Sequence, residues 1–288
     1  MRGVVSAVRL AAVLILLGEV PRLTGQETED RRVTVEAEQL PSAYGAPPDL
    51  SHGRMSTLTK SYVLSPFSFE VEAGYEGQAF RHDTPATFFG QEIEMGLPAR
   101  FTVGLTNQVA HFHGGTREQT FGLEARYALA DWDKIALNPA ILAEYRFGID
   151  STAEDSGELA LLVSHSFPHL VEWALNLFVE HGFSGKEFIS GGFAQSVEIP
   201  VLLPEEKLEL GLEMQYRSRG DRNQIKPAGK GFVIGPTLAW RPTKHARFDL
   251  SPLLGCSESA PALEVFAIFS VSLGNENEGE NPASARAR

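Results

Sequence analysis

Carboxylates recur two residues apart along this chain, as Glu70 with Glu72 and Glu92 with Glu94. In an extended strand successive side chains alternate between faces, so each pair shares one side. Two acids alone in a cleft would suit glycosidic acid–base chemistry. Here they belong to a wider series that includes Glu124, Glu144, Glu172, Glu209 and Glu213, which points to an acidic, wetted surface instead of a two-carboxylate site. Ser164, His165, Ser166 and His181 raise nucleophilic hydrolysis. Adjacent strand residues face opposite ways, and neither a nucleophile elbow nor an ordered triad is present, so no catalytic residue is expected. His111 and His113 flank Phe112 and would share a face as two metal ligands, but no third ligand is specified. Gly114–Gly115 and Gly191–Gly192 match neither a phosphate loop nor a dinucleotide fingerprint and read as turn or curvature elements. Met95 and Met214 lie on apolar faces. No cofactor or metal is expected.

The elements that must position these residues are short alternating strands. In residues 65–80, Phe67, Phe69, Val71, Ala73 and Tyr75 oppose Glu70, Glu72, Gly74 and Glu76. The same period of two predicts further strands at 89–97, 100–112, 119–129, 136–149, 157–167, 171–183, 188–201, 207–217, 231–240, 246–254 and 262–273. Pro252 interrupts the eleventh, and Phe266 and Ile268 make the middle of the twelfth apolar on both faces. The expected fold is all-β, a single antiparallel transmembrane β-barrel of about 12 strands. A soluble sheet this large would need helices or a second sheet over its dry face. Helices are not evident, which leaves a soluble β-sandwich or lipocalin-like binding protein as the alternative. In a barrel, lipid would cover the apolar stripe and ring closure would pair every backbone group.

Four segments are expected. Residues 1–26 read as a signal peptide: Arg2 and Arg9 precede an apolar run at 10–17 that is too short to span a membrane. Residues 27–64, with Gly45, Pro47 and Pro48, form a flexible leader or small plug, with one short strand at 33–37; residues 65–274 are the barrel, and 275–288 a polar tail. The formal charge of −12 disfavours nucleic acid as a partner. Cys256, the only cysteine, excludes an intramolecular disulfide.

The wetted face would line a lumen through Glu92, Glu94, Glu124, Arg126, Glu144, Arg146, Glu172, Glu209, Glu213 and Arg217, with Arg81 as a further balancing charge. These residues would keep the lumen wet and bias passage toward cations. The connections at 97–99, 130–135, 167–170, 202–206 and 241–245 would be short inner turns. The longest connection, an outer loop at 218–230, would carry Arg219, Asp221, Arg222, Lys226 and Lys230. Trp132, Tyr145, Trp173, Tyr216 and Trp240, with Tyr75 and Tyr127, would suit interfacial belts.

In its signal, leader, hairpin order and Arg/Glu-rich inner faces, the chain resembles bacterial outer-membrane channel proteins. More specifically, residues 65–274 resemble the MetA-pathway phenol-degradation transporter family. That resemblance implies a porin-like barrel in the outer membrane of a Gram-negative-type envelope. It would be inserted by outer-membrane assembly machinery and would pass small solutes through outer-membrane lipid without a chemical step. A nontransporting outer-membrane scaffold or surface-binding barrel is the second expectation. The chain departs from many such barrels at its end, where Leu273 and Gly274 run on into the polar tail.

Overall fold

The computed structural model describes residues 42–112, 115, 117–150, 153–168, 171–183, 188–202, 207–221 and 229–274. The expected signal, the strand at 33–37, His113 and the polar tail lie outside them. The strands are β1 (Phe69–Ala79), β2 (Ala86–Leu97), β3 (Phe101–Phe112), β4 (Arg117–Ala128), β5 (Ala140–Gly148), β6 (Ser156–Phe167), β7 (Val171–Gly182), β8 (Phe188–Leu202), β9 (Leu208–Asp221), β10 (Gly229–Thr243), β11 (Ala246–Gly255) and β12 (Leu263–Leu273). Each pairs antiparallel with its sequence neighbours. β1 meets β12 from Phe69↔Leu273 to Ala79↔Leu263, which closes a barrel of twelve strands. No α-helix occurs among the described residues.

The alternation resolves into an apolar outside and a polar inside. On β1, Phe69, Val71 and Tyr75 are exposed on the outer wall while Glu70 and Glu72 are buried inward. Ile93, Leu105, Leu123, Ile141, Leu161, Leu177, Ile199, Leu212, Leu250 and Phe269 continue the exposed apolar belt around the ring. A soluble sandwich would turn these faces the other way.

Local chemistry shapes the wall. The β10–β11 pairing breaks between Ile234↔Leu254 and Leu238↔Leu250, where Pro236 and Pro252 have no N–H to donate. A side chain at Gly192 or Gly211 would meet the backbone of Tyr216 or Val197 on the neighbouring strand, so glycine permits the close approach there. On the outer wall Gly157 lies beneath Phe183, whose ring stacks on Tyr145 at 5.8 Å.

Several boundaries differ from the alternation. β9 and β10 reach Asp221 and Gly229, so Arg219, Asp221 and Lys230 stand on strands, while Arg222 and Lys226 lie outside the described residues. β5 begins only at Ala140, and the longest link between strands is residues 129–139, on the side where β1 begins and β12 ends. The expected contrast of short inner turns with longer outer loops fails at this link, whereas the connections at 98–100, 168–170, 203–207 and 244–245 on the same side are short. The link folds against the lumenal segment described next: Trp132 N donates to Tyr44 O at 3.1 Å, and Asn138 Oδ1 accepts from Asp133 N at 2.7 Å. Trp132 is buried there, edge-on to Tyr62 at 5.3 Å, and belongs to no interfacial belt. Arg81 also departs from its expected place. It donates to the carbonyls of Gly255 at the end of β11 and of Ser257 and Ala260 in the β11–β12 connection, away from the lumenal carboxylates.

Candidate functional site, a charged lumen filled at one end

Residues 42–68 precede β1 and lie within the ring. Tyr44 Oη accepts from Arg100 N at 2.9 Å and donates to Leu97 O at 3.2 Å, tying the segment to the β2–β3 turn. That turn needs a tie, because Ala99 and Arg100 both hold positive φ, which costs non-glycine residues about 1–2 kcal/mol each. A short 3-10 turn follows at Asp49–Ser51. The chain then forms a small hairpin: Arg54 bridges Lys60, and Met55 N donates to Thr59 O at 2.9 Å. It leaves through Phe67, whose N donates to Gly96 O at 2.7 Å. Gly96 is required here, since a side chain would run into the Ser65 carbonyl.

The hairpin touches the wall on many sides. Thr59 Oγ1 and Ser196 Oγ of β8 lie 2.6 Å apart, and Ser56 Oγ and Thr237 Oγ1 of β10 lie 3.0 Å apart. Glu213 of β9 accepts from Thr57 Oγ1 at 2.5 Å and from Leu58 N at 2.6 Å. Arg247 of β11 donates to Met55 O and is held by Asp249 at 2.8 Å. Arg241 of β10 meets Asp49 and lies 3.6 Å from Glu209. Against β4–β7 the packing is apolar, with Tyr62, Val63 and Met55 clustered on Ala128, Leu142, Leu162 and Ala174.

Two cations of the hairpin enter the carboxylate series. Lys60 Nζ lies 2.5 Å from Glu92, 2.8 Å from Glu94 and 2.7 Å from Glu124. Arg54 reaches Glu72 at 3.0 Å and Glu92 at 3.3 Å. Arg126 of β4, fully buried, joins Glu94 at 2.6 Å and Glu124 at 2.8 Å and also donates to the carbonyls of Gly53 and Tyr62. Burial opposes the charge on Lys60, but Glu124, Glu92 and Glu94 outweigh it and hold the ammonium above the ordinary lysine range. Arg54 shows the same balance, with Glu72 and Glu92 overcoming its desolvation. For Tyr62, burial and then Asp131 push the phenol upward.

Beyond the hairpin tip the lumen is open. A cavity of about 640 Å³ has Arg54, Leu58 and Lys60 in its floor. Its walls combine Gln78, Thr120, Glu144, Arg146, Arg217 and Glu264 with Phe178, Phe266 and Ile268. Arg146 bridges Glu144 at 2.5 Å and Glu180 at 3.0 Å, and Arg217 shares Glu180 at 3.5 Å while lying over the Phe178 ring. Across the cavity Gln78 donates to both Glu76 and Glu264, at 2.5 and 2.8 Å.

The expected lumen residues thus fall into different places. Glu92, Glu94, Glu124 and Arg126 form one network around Lys60. Glu144, Arg146 and Arg217 line the open cavity. Glu213 meets the segment from β9, while Glu209 lies 3.6 Å from Arg241 of the wall. Glu172 accepts from Ser166 at 2.8 Å. Arg219 packs over the Phe188 ring. Ser164 is buried inward, whereas His165 packs edge-on to Phe167 and His181 lies tilted against Phe183 on the outer wall, so these groups occupy opposite sides of the sheet. Alternation could have added Glu198, Arg247 and Asp249, which share the inward face of their strands. Nothing periodic marked Arg54 or Lys60.

The sequence matches no family model and no curated protein. Several solved structures are similar in fold. An outer membrane channel from Pseudomonas putida F1 aligns with TM-score 0.53 at 10% identity, covering 74% of this chain and 97% of that chain. The KdgM porin aligns with TM-score 0.44 at 10% identity over 72% and 99% of the two chains. The outer membrane protein Omp33 of Acinetobacter baumannii gives TM-score 0.39 at 11% identity over 72% and 98%. The chain shares its barrel fold with the Pseudomonas channel.

Proposed function

We propose that this chain is an outer-membrane channel of a Gram-negative-type envelope that passes small solutes, with a lumen closed at one end by its own residues 42–68. The single observation that carries the reading is the inversion of the wall: apolar side chains outside around a closed ring, ionised side chains and a cavity within. Lipid suits the first and water the second. A cavity of this size lies in the range of small-molecule sites, about 300–1,000 Å³. The end where β1 begins and β12 ends would face the periplasm, and assembly machinery would insert the barrel. The lumen guides passage by charge and shape, with no chemical step. The solutes are small organic compounds, of the kind that the MetA-pathway resemblance implies.

Membrane fractionation and planar-bilayer recording test the reading together. Outer-membrane recovery and discrete conductance steps, enlarged on deletion of residues 42–64, are expected. A folded, inserted barrel that conducts neither with nor without that segment would favour the nontransporting scaffold.

A further inference from the structure

We propose that the open cavity takes a zwitterion whose two charges are separated by an apolar spacer, with its carboxylate on Arg217 and its ammonium between Glu76 and Glu264. This rests on the channel reading and names the class of solute.

The cationic pole is under-used. A guanidinium carries five N–H donors. Arg217 spends one on a bond of 3.5 Å to Glu180, which Arg146 already holds at 3.0 Å and Ser156 at 3.1 Å. The Arg217 side chain is 44% exposed and lines the cavity, with its guanidinium carbon 5.0 Å from the centre of the Phe178 ring. Its partner in register on β10 is Gly231, where an added side chain would meet nothing closer than 3.9 Å. That leaves room beside the guanidinium for a carboxylate, which such a group binds through two parallel hydrogen bonds.

The anionic pole lacks a cation. Glu76 and Glu264 both line the cavity and both accept from Gln78 Nε2, at 2.5 and 2.8 Å. Among the described residues neither forms an ion pair, although Glu264 is only 5% exposed. Two carboxylates gathered on one neutral amide repel each other, and an ammonium placed between them would relieve that repulsion. The charge of Arg217 acts on Glu76, yet no ion pair joins the two.

The wall holds the poles apart. β9, which carries Arg217, stands three strands from β12, which carries Glu264. The strip between them is apolar, with Val233 of β10 and Phe266 of β12 packed with Ala260 and Leu58 along the cavity. A hydrocarbon spacer fits that strip. A solute with a single charge leaves the opposite pole unmet.

The test is titration calorimetry on the full chain in detergent. The probes are 4-aminobutyrate, 6-aminohexanoate and 8-aminooctanoate, and the controls are hexanoate and hexylammonium. At least one zwitterion should bind about tenfold or more tightly than both controls. Arg217→Gln should remove its advantage over hexylammonium, and Glu264→Gln its advantage over hexanoate. If no zwitterion outbinds both controls on the unaltered chain, the proposal is overturned without recourse to any variant. A folded Arg217→Gln or Glu264→Gln protein that keeps the full preference would overturn it as well. Should those variants fail to fold, Gly231→Leu fills the space beside Arg217: lost zwitterion binding supports the site, and undiminished binding rejects it. Calorimetry is independent of conductance. Zwitterion binding in a barrel that never conducts would keep the site and refute the channel; conductance without zwitterion binding would do the reverse.

Discussion

Lys60 and Arg126 share a single acceptor: Glu94 Oε1 receives Lys60 Nζ at 2.8 Å and Arg126 Nη2 at 2.6 Å. One cation belongs to the wall and the other to the lumenal hairpin, so one carboxylate couples barrel stability to closure of the lumen.

Removal of the wall cation should be costly. Arg126→Met leaves Glu94 and Glu124 short of a buried partner and should destabilise the barrel by about 3–5 kcal/mol, read from its urea midpoint. Arg126→Met combined with Glu94→Gln should recover part of that loss. Equal midpoints for the native chain and Arg126→Met would show that the network contributes nothing.

Gly96→Val should unseat the hairpin while sparing the ring. The added side chain runs into the Ser65 carbonyl, and the backbone bonds from Gly96 to Phe67 and Ser68 would be strained. Trypsin should then cut after Arg54 and Lys60, and conductance should rise, while the heat-dependent gel shift of a folded barrel persists. Continued protection of both sites would refute this role for Gly96.

The outer belt predicts an asymmetry between the two sides of the wall. Leu161→Arg or Leu212→Arg places a charge against lipid and should cost about 2–4 kcal/mol in bilayers if the residue lies near mid-depth. Gln215→Arg, in the cavity wall, should cost much less and shift ion preference toward anions. Similar costs on both sides would contradict a lipid-covered exterior.

Alkali, and not acid, should release Lys60 from its seat. Its seated form holds the proton more tightly than the unseated form, so its contribution is complete below the ordinary lysine value of about 10.4 and fades as pH rises through the higher seated value. Protection of the Arg54 and Lys60 cleavage sites should therefore not decline through Lys60 up to about pH 10. In Lys60→Met, the alkaline step should vanish from protection of Arg54.

Most of the wall was legible in the sequence because a sheet with one dry and one wet face writes its period into the residue order. Glu92, Glu94 and Glu124 point inward for the same reason that Ile93 and Leu123 point outward. The hairpin was not legible. Arg54 and Lys60 stand in a stretch rich in Ser and Thr, with no repeat to report burial, and their partners lie on strands distant in sequence. Trp132 misled for a related reason. Its bulk suggests a membrane interface, yet the 129–139 link turns it onto Tyr62. Arg81 was misplaced because β1 ends at Ala79, which puts it in a connection.

Both ends of the lumenal segment are anchored at the same rim: Tyr44 at the β2–β3 turn, and Phe67 beside Gly96 where β2 ends. The hairpin therefore enters and leaves by one mouth, like a finger in a thimble. Its withdrawal would part no ladder between strands, so on the channel reading opening would demand no breach of the ring. The hairpin's own contacts would then set the rate, and sequence change in that short stretch would retune opening while the cylinder stays intact.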